Sequence, residues 1–156
     1  MTEIKVKEGE KFPDFELDAF PEPKRLSLKS FNGKWLVLYF YPRDDTPGCT
    51  AEACNFRDSS HELQKLGASV VGVSTDTPES HKKFSNKYRL SFPLLSDPSG
   101  EFGASLGVLR DSSRPTMNRV TFIIDPNGIV RKVYPRVDPA HHAEQIVKDL
   151  RQLTTN

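Results

Sequence analysis

The sequence is short of every feature that would assign it to a membrane, a nucleic acid or an oxidising compartment. Its longest apolar stretch, around Leu36–Tyr41, falls far below the roughly 20 residues a spanning helix needs. Charge of neither sign dominates: 22 basic residues against 21 acidic ones leave a formal +1, so nothing electrostatic points to nucleic acid or an anionic membrane as partner. The opening MTEIKVKEGEKF alternates charges with single apolar residues. It lacks the apolar core of a secretory signal and is too acidic for a transit peptide, so a mature, cytoplasmic protein is expected. Repeats, low-complexity tracts and Gly/Ser linkers are missing, and a length of 156 residues predicts one domain over 1–156. Such a domain buries roughly 70% of its chain surface and needs no disulfide to hold it together.

Cysteine is scarce as well, with only Cys49 and Cys54. In a reducing compartment, two cysteines five positions apart point to chemistry or metal binding rather than architecture. The metal reading is weak, because C-x4-C supplies two ligands and no H-x3-H or C-x2-C completes the shell. His61, His81, His141 and His142 all fall on predicted helices and read as solvated side chains. The glycines of GEFGASLG lack the Lys-Ser/Thr ending of a phosphate loop and read as packing or loop geometry.

What is present alternates strand-like and helix-like segments. Lys34–Tyr41 reads as a buried strand ended by Pro42, and Thr50–Leu66 as a helix stopped by Gly67. Val70–Ser74 is a second buried strand. Thr77-Pro78-Glu79 then opens a helix running to about Leu90, with a hydroxyl cap, a first-turn proline and an early acid. Phe92–Leu95 suits a short strand and Glu101–Gly107 a short helix. The strands 119–125 and 129–134 flank Pro126-Asn127-Gly128, a hairpin turn. A last helix follows Asp138-Pro139. This order predicts an α/β fold with a mixed central sheet, helices on both faces and a terminal antiparallel hairpin. Sites in such sheets lie beyond the carboxyl ends of strands, where Pro42–Cys49 falls.

Cys49 follows a Thr-Pro-Gly turn at the start of a predicted helix, where unpaired N–H groups and the helix dipole favour a thiolate, the nucleophilic form. Thr46 can place its hydroxyl beside the sulfur or beside an oxygen bound next to it. Pro42 and Pro47 stiffen the loop, and Pro42 lacks an N–H that a dry pocket would leave unpaired. On an intact helix the Cα atoms of residues 49 and 54 would be roughly 8–9 Å apart. An unstrained bridge needs about 7 Å or less, so a disulfide between them would require the first turns to unwind. From spacing alone, two ordinary buried thiols fit as well as a reactive pair.

The motif Pro42-x-x-x-Thr46-x-x-Cys49 resembles the active-site motif of peroxiredoxins, and YFYPRDDTPGCTAEACNFRD resembles the subgroup called peroxiredoxin Q or bacterioferritin comigratory protein. VVGVSTDTPESHKKFSNKYRLSFPLLSD and RVTFIID extend the likeness over roughly 11–153. The resemblance implies a thioredoxin-like fold with Cys49 as peroxidatic and Cys54 as resolving cysteine. Thr46 would hydrogen-bond the peroxide, Arg119 would complete the pocket, and Glu52 would orient that arginine. It further implies a hydroperoxide substrate, recycling by thioredoxin or a similar dithiol, a monomer or weak dimer, and no metal, flavin or haem. A general thiol–disulfide oxidoreductase, which would normally use C-x-x-C, and a chaperone or signalling adaptor are the competing readings. Among the aromatics of the first strand, Trp35, Tyr39, Phe40 and Tyr41, Phe40 is the one expected to line the pocket. Val108–Met117 has no role in this scheme.

Overall fold

The computed structural model describes residues 3–21, 25–111 and 115–155. Its centre is a seven-stranded mixed sheet, ordered β2-β1-β5-β4-β3-β8-β9. The middle strands β3 (Trp35–Phe40), β4 (Ala68–Ser74) and β5 (Leu94–Ser96) run parallel. On one side β8 (Val120–Ile124) and β9 (Val130–Tyr134) add as an antiparallel hairpin. On the other, β1 (Glu16–Phe20) and β2 (Arg25–Ser27) pair antiparallel, strands that the apolar pattern does not announce. The expected hairpin turn forms at 125–128, with Gly128 in the left-handed region at φ 82° and a register shift at Ile123/Ile124.

Side-chain alternation along β3 divides the core. Leu36, Leu38 and Phe40 join Phe12, Phe122 and Leu106 on one face. Val37, Tyr39 and Tyr41 join Cys49, Phe56, Phe84 and Ile146 on the other. The second face carries α1 (Pro47–Asp58), α2 (Ser60–Lys65), α3 (Pro78–Tyr88) and α5 (His142–Thr154). The first is covered by the short α4 (Glu101–Leu106), a 3-10 turn at Leu28–Phe31 and the N-terminal arm. Helices therefore flank both faces, as expected, though unevenly. Phe40 is a correction: it packs on Phe102 and Phe122, on the face away from Cys49. The period of two sends Tyr39 and Tyr41 to the site in its place.

The single helix expected over 50–66 is two, parted at Ser59 (φ −93°, ψ 0°). Asp58, Ser59 and Ser60 compete for backbone hydrogen bonds and make this the weakest stretch for a continuous helix. The helix after Thr77 starts as read, with Thr77 accepting from the Ser80 N–H at 3.2 Å, and it ends on Arg89 in the left-handed region. Residues 108–117 hold a small hairpin, β6 (Leu109–Asp111) with β7 (Thr116–Met117). Residues 112–114 lie outside the described residues. This hairpin is held by Met117, whose sulfur fills the space a side chain at Gly103 would need, and by Thr75, whose hydroxyl donates to Pro115 O at 2.7 Å. Among the described residues no helix is long and apolar enough to cross a membrane.

Candidate active site

The site forms where β3 ends. Tyr41 N–H still donates to Val73 O at 3.0 Å, and the chain then leaves the sheet through Pro42 and turns into α1. Thr46 caps α1 with extended backbone (φ −104°, ψ 156°), and Pro47 occupies the first turn. Thr50 N–H is bonded to Thr46 O at 2.8 Å, so the N–H groups of Gly48 and Cys49 belong to the turn that has no carbonyl one turn earlier to receive them. Such a helix start favours negative charge in general.

Cys49 is almost sealed, at 1% exposure, and reduced; Cys54 is half-buried and also reduced. Both lie on one unbroken helix. Arg119, from the residue before β8, reaches Cys49 and joins it to Glu52. Its Nη2 donates to Cys49 Sγ at 3.5 Å and its Nη1 to Glu52 Oε1 at 2.9 Å. Gly48 makes this approach possible, because a Cβ there would stand 3.1 Å from Arg119 Nη2. Burial works against the Arg119 charge, but Cys49 and Glu52 outweigh it and hold its pKa above the usual value. Burial pushes the Glu52 carboxyl up to about 7 despite that same guanidinium.

Arg119 thus contacts both Cys49 and Glu52. Thr46 is close in sequence, but its hydroxyl donates to Arg43 O at 3.0 Å and not to the sulfur. Its oxygen keeps lone pairs to accept a hydrogen bond. Pro42 is half-buried at the exit from β3. The wall opposite Gly48 is the 138–141 turn, since Pro139 lies 3.7 Å from where a Gly48 side chain would begin. Two ties hold the second half of α1: Asn55 Nδ2 donates to Ala140 O at 2.8 Å, and Arg57 Nη1 donates to Tyr88 O at 2.6 Å.

Two histidines require correction. His61 and His141 are exposed as expected, whereas His81 (0% exposed) and His142 (1%) are buried with polar partners. His81 turns Nε2 to Leu95 O at 2.9 Å and Nδ1 to the buried Asp44 at 2.8 Å. Asp44 also accepts from Tyr41 and Ser80, at 2.6 and 2.8 Å, so the loop before Thr46 is bound to α3 and β5. His142 meets Thr121 Oγ1 at 2.8 Å and the edge of Phe56. Neither burial is visible in sequence, because the partners come from distant segments.

Burial lowers the His142 pKa to about 4. The unfolded chain therefore takes up this proton first, and stability is lost as pH falls from about 6.5 towards 4, by on the order of 3 kcal/mol. Urea unfolding at about pH 7 and about pH 4.5 is expected to show this loss, and His142→Gln to reduce it. An unchanged pH dependence in the variant would contradict the assignment.

The matching family model is the AhpC/TSA family, over residues 8–133. The chain belongs to that family. Within it the likeness is to peroxiredoxin Q and bacterioferritin comigratory proteins. The chain is 44% identical over 150 residues to the chloroplastic peroxiredoxin Q of Populus jackii, covering 96% of this chain and 70% of that one. The crystal structure of peroxidoxin BcpB from Mycobacterium tuberculosis superposes with a TM-score of 0.88 at 36% identity, covering 96% of this chain and 99% of that one. A structure of the Xanthomonas campestris bacterioferritin comigratory protein, a protein with alkyl peroxide reduction activity, gives 0.84 at 32% identity, covering 90% of this chain and 92% of that one. The peroxiredoxin membership makes this chain a thiol-dependent peroxidase with the thioredoxin-like fold that its sequence suggested.

Proposed function

We propose that this peroxiredoxin reduces hydrogen peroxide and alkyl hydroperoxides through Cys49 and closes an intrachain disulfide with Cys54. The Cys49 thiolate attacks the distal peroxide oxygen; the S–O bond forms, the O–O bond breaks, and alkoxide or hydroxide leaves with a proton. Arg119 carries a fixed positive charge to the sulfur and to the oxygens as charge moves between them. Thr46 accepts from the peroxide O–H, and Pro42 keeps an unpaired N–H out of the pocket. Cys54 then attacks the sulfenic acid, releasing water and forming the disulfide, which thioredoxin or a similar dithiol reduces.

The observation that carries this reading is the contact of Arg119 Nη2 with the sealed Cys49 sulfur, with Cys54 reduced on the same helix. Disulfide formation needs the first turns of α1 to open, because on the intact helix the two Cα atoms are roughly 8–9 Å apart. The alkyl peroxide reduction activity of the Xanthomonas relative supports alkyl hydroperoxides as substrates. Two free thiols suit a reducing compartment, and a cytoplasmic, monomeric or weakly dimeric enzyme fits this reading.

Non-reducing peptide mapping before and after one equivalent of peroxide tests the cycle. A 49–54 bridge is expected only after treatment. Cys54→Ser is expected to retain one sulfenylation event per chain and to lose at least about tenfold in thioredoxin-linked turnover. Normal cycling by that variant would remove Cys54 from its resolving role.

A further inference from the structure

Arg119 stands between two buried groups that can each carry a negative charge. Cys49 is 1% exposed and Glu52 0%. One guanidinium nitrogen serves each of them. The second Glu52 oxygen, Oε2, is buried without a hydrogen-bond partner among the described residues. An ionised oxygen in that position is the costly state, and a protonated one is far cheaper.

Among the described residues, no second cation pairs with Cys49 or Glu52. From β3, Tyr39 faces the same pocket with a buried hydroxyl that also lacks a partner; burial, with Glu52, Cys49 and Asp44 adding to it, holds that phenol well above its ordinary pKa, so it stays neutral. From α5, the neighbouring His142 is neutral above about 4. On its own helix Cys49 lies three residues before Glu52, and from the residue before β8 comes Arg119. One positive charge therefore balances one anion, and thiolate and carboxylate compete for it.

We infer that Glu52 is the proton donor of the peroxide-cleaving step, neutral while Cys49 is a thiolate and ionised once Cys49 has become a sulfenic acid. The inference rests on Cys49 being the attacking sulfur, as proposed above. The thiolate takes the distal oxygen with its hydrogen to give Cys49–SOH, the O–O electron pair leaves on the alkoxide, and the alkoxide takes the Glu52 proton to give the alcohol. The negative charge thereby moves from sulfur to carboxylate, and Arg119 pairs with an anion before and after. Cys49 and Glu52 lie three residues apart on one helical face, so the exchange takes place within a single turn. The Glu52 carboxyl, pushed up to about 7, holds this proton at and below neutral pH. Above that the donor empties, and the rate of sulfenic acid formation falls on the alkaline side.

The pH dependence tests this. Reduced protein is mixed with one equivalent of hydrogen peroxide between about pH 6 and about pH 8, sulfenic acid formation is timed, and alkylation of Cys49 by iodoacetamide, which needs no proton, is timed at the same values. The wild-type peroxide rate, relative to alkylation, is expected to fall about tenfold over that range as the Glu52 proton is lost. Glu52→Gln keeps an oxygen for Arg119 but has no proton to give. It is expected to react about 100-fold more slowly at about pH 6, with a relative rate that does not change with pH, while its alkylation changes by less than about threefold. A wild-type relative rate that stays level over the whole range overturns the inference. So does a parallel fall of alkylation and peroxide rates in Glu52→Gln, which would mark a purely structural role. Should that variant fail to fold, the wild-type profile alone decides. Absence of any sulfenic acid at Cys49 would sink the proposed cycle as well, which separates the two failures.

Discussion

Replacing Cys49 with serine is expected to abolish peroxide consumption, lowering the rate by at least about 10³-fold. The change exchanges one atom of nearly the same size in a sealed position, so the packing around Ala53 and Phe56 is retained. What disappears is the polarisable sulfur that attacks the peroxide oxygen. A serine hydroxyl beside the same guanidinium stays protonated and does not attack a peroxide oxygen. The substitution also removes one of the two acidic groups sharing Arg119, leaving Glu52 as the other. Peroxide loss measured with dithiothreitol as reductant checks this without depending on the physiological dithiol. A variant that still consumed peroxide at more than a small fraction of the wild-type rate would place the chemistry elsewhere.

The second large effect is expected at Arg119. Substitution by methionine keeps the length of the side chain and removes the charge. The rate of sulfenic acid formation is expected to fall by about 10²–10³-fold, the usual cost of losing a preorganised donor where charge develops. Glu52 would then be buried with no cation. Breaking a buried pair costs about 3–5 kcal/mol when the remaining charge is kept, and much less when it is neutralised. Arg119→Met is therefore expected to be nearly as stable as the wild type at about pH 6, where Glu52 is protonated, and destabilised at about pH 8. Urea unfolding at the two values, beside competitive peroxide kinetics, measures both effects. Lysine is a poor substitute here, because its single ammonium cannot span Sγ and Oε1 as a planar fork does. Equal rates for Arg119→Met and the wild type would take Arg119 out of the reaction.

The parts of the fold that sequence reveals are those whose reason is local. Val37–Phe40 and Val70–Val73 are buried on both faces of the sheet, and a fully covered strand needs an unbroken apolar run. Thr77-Pro78 begins a helix because its cap and its proline act within one turn. By contrast β1 is half-exposed and carries Glu16 and Asp18, paired across the strand edge with Arg25, so its residues look like loop. Its strand character comes from its neighbours β2 and β5. The candidate site divides in the same way. Cys49, Thr46 and Pro42 share one short motif, whereas Arg119 is 70 residues from Cys49 and only the family likeness singled it out. Glu52 left a sign that could have been used: Cys49, Glu52, Ala53 and Phe56 are spaced as one helical face, and all four are buried. A carboxylate on an otherwise apolar stripe requires a partner. His81 and His142 left no such sign, since Asp44 and Thr121 reach them only through the tertiary fold.

The two ties that anchor Asn55 and Arg57 fix where the helix can give way, and so act as a clock on the proposed cycle. With its far half moored to the 138–141 turn and to Tyr88, the opening falls to the turns nearer Thr46, which must first release Arg119. Until they do, an oxidised sulfur waits within reach of further oxidant, one step from irreversible damage. Loosening either mooring shortens that wait at the expense of the ordered pocket the next substrate must find, so tolerance of an oxidant surge and speed in its absence are set against each other by two side chains that touch no reacting atom.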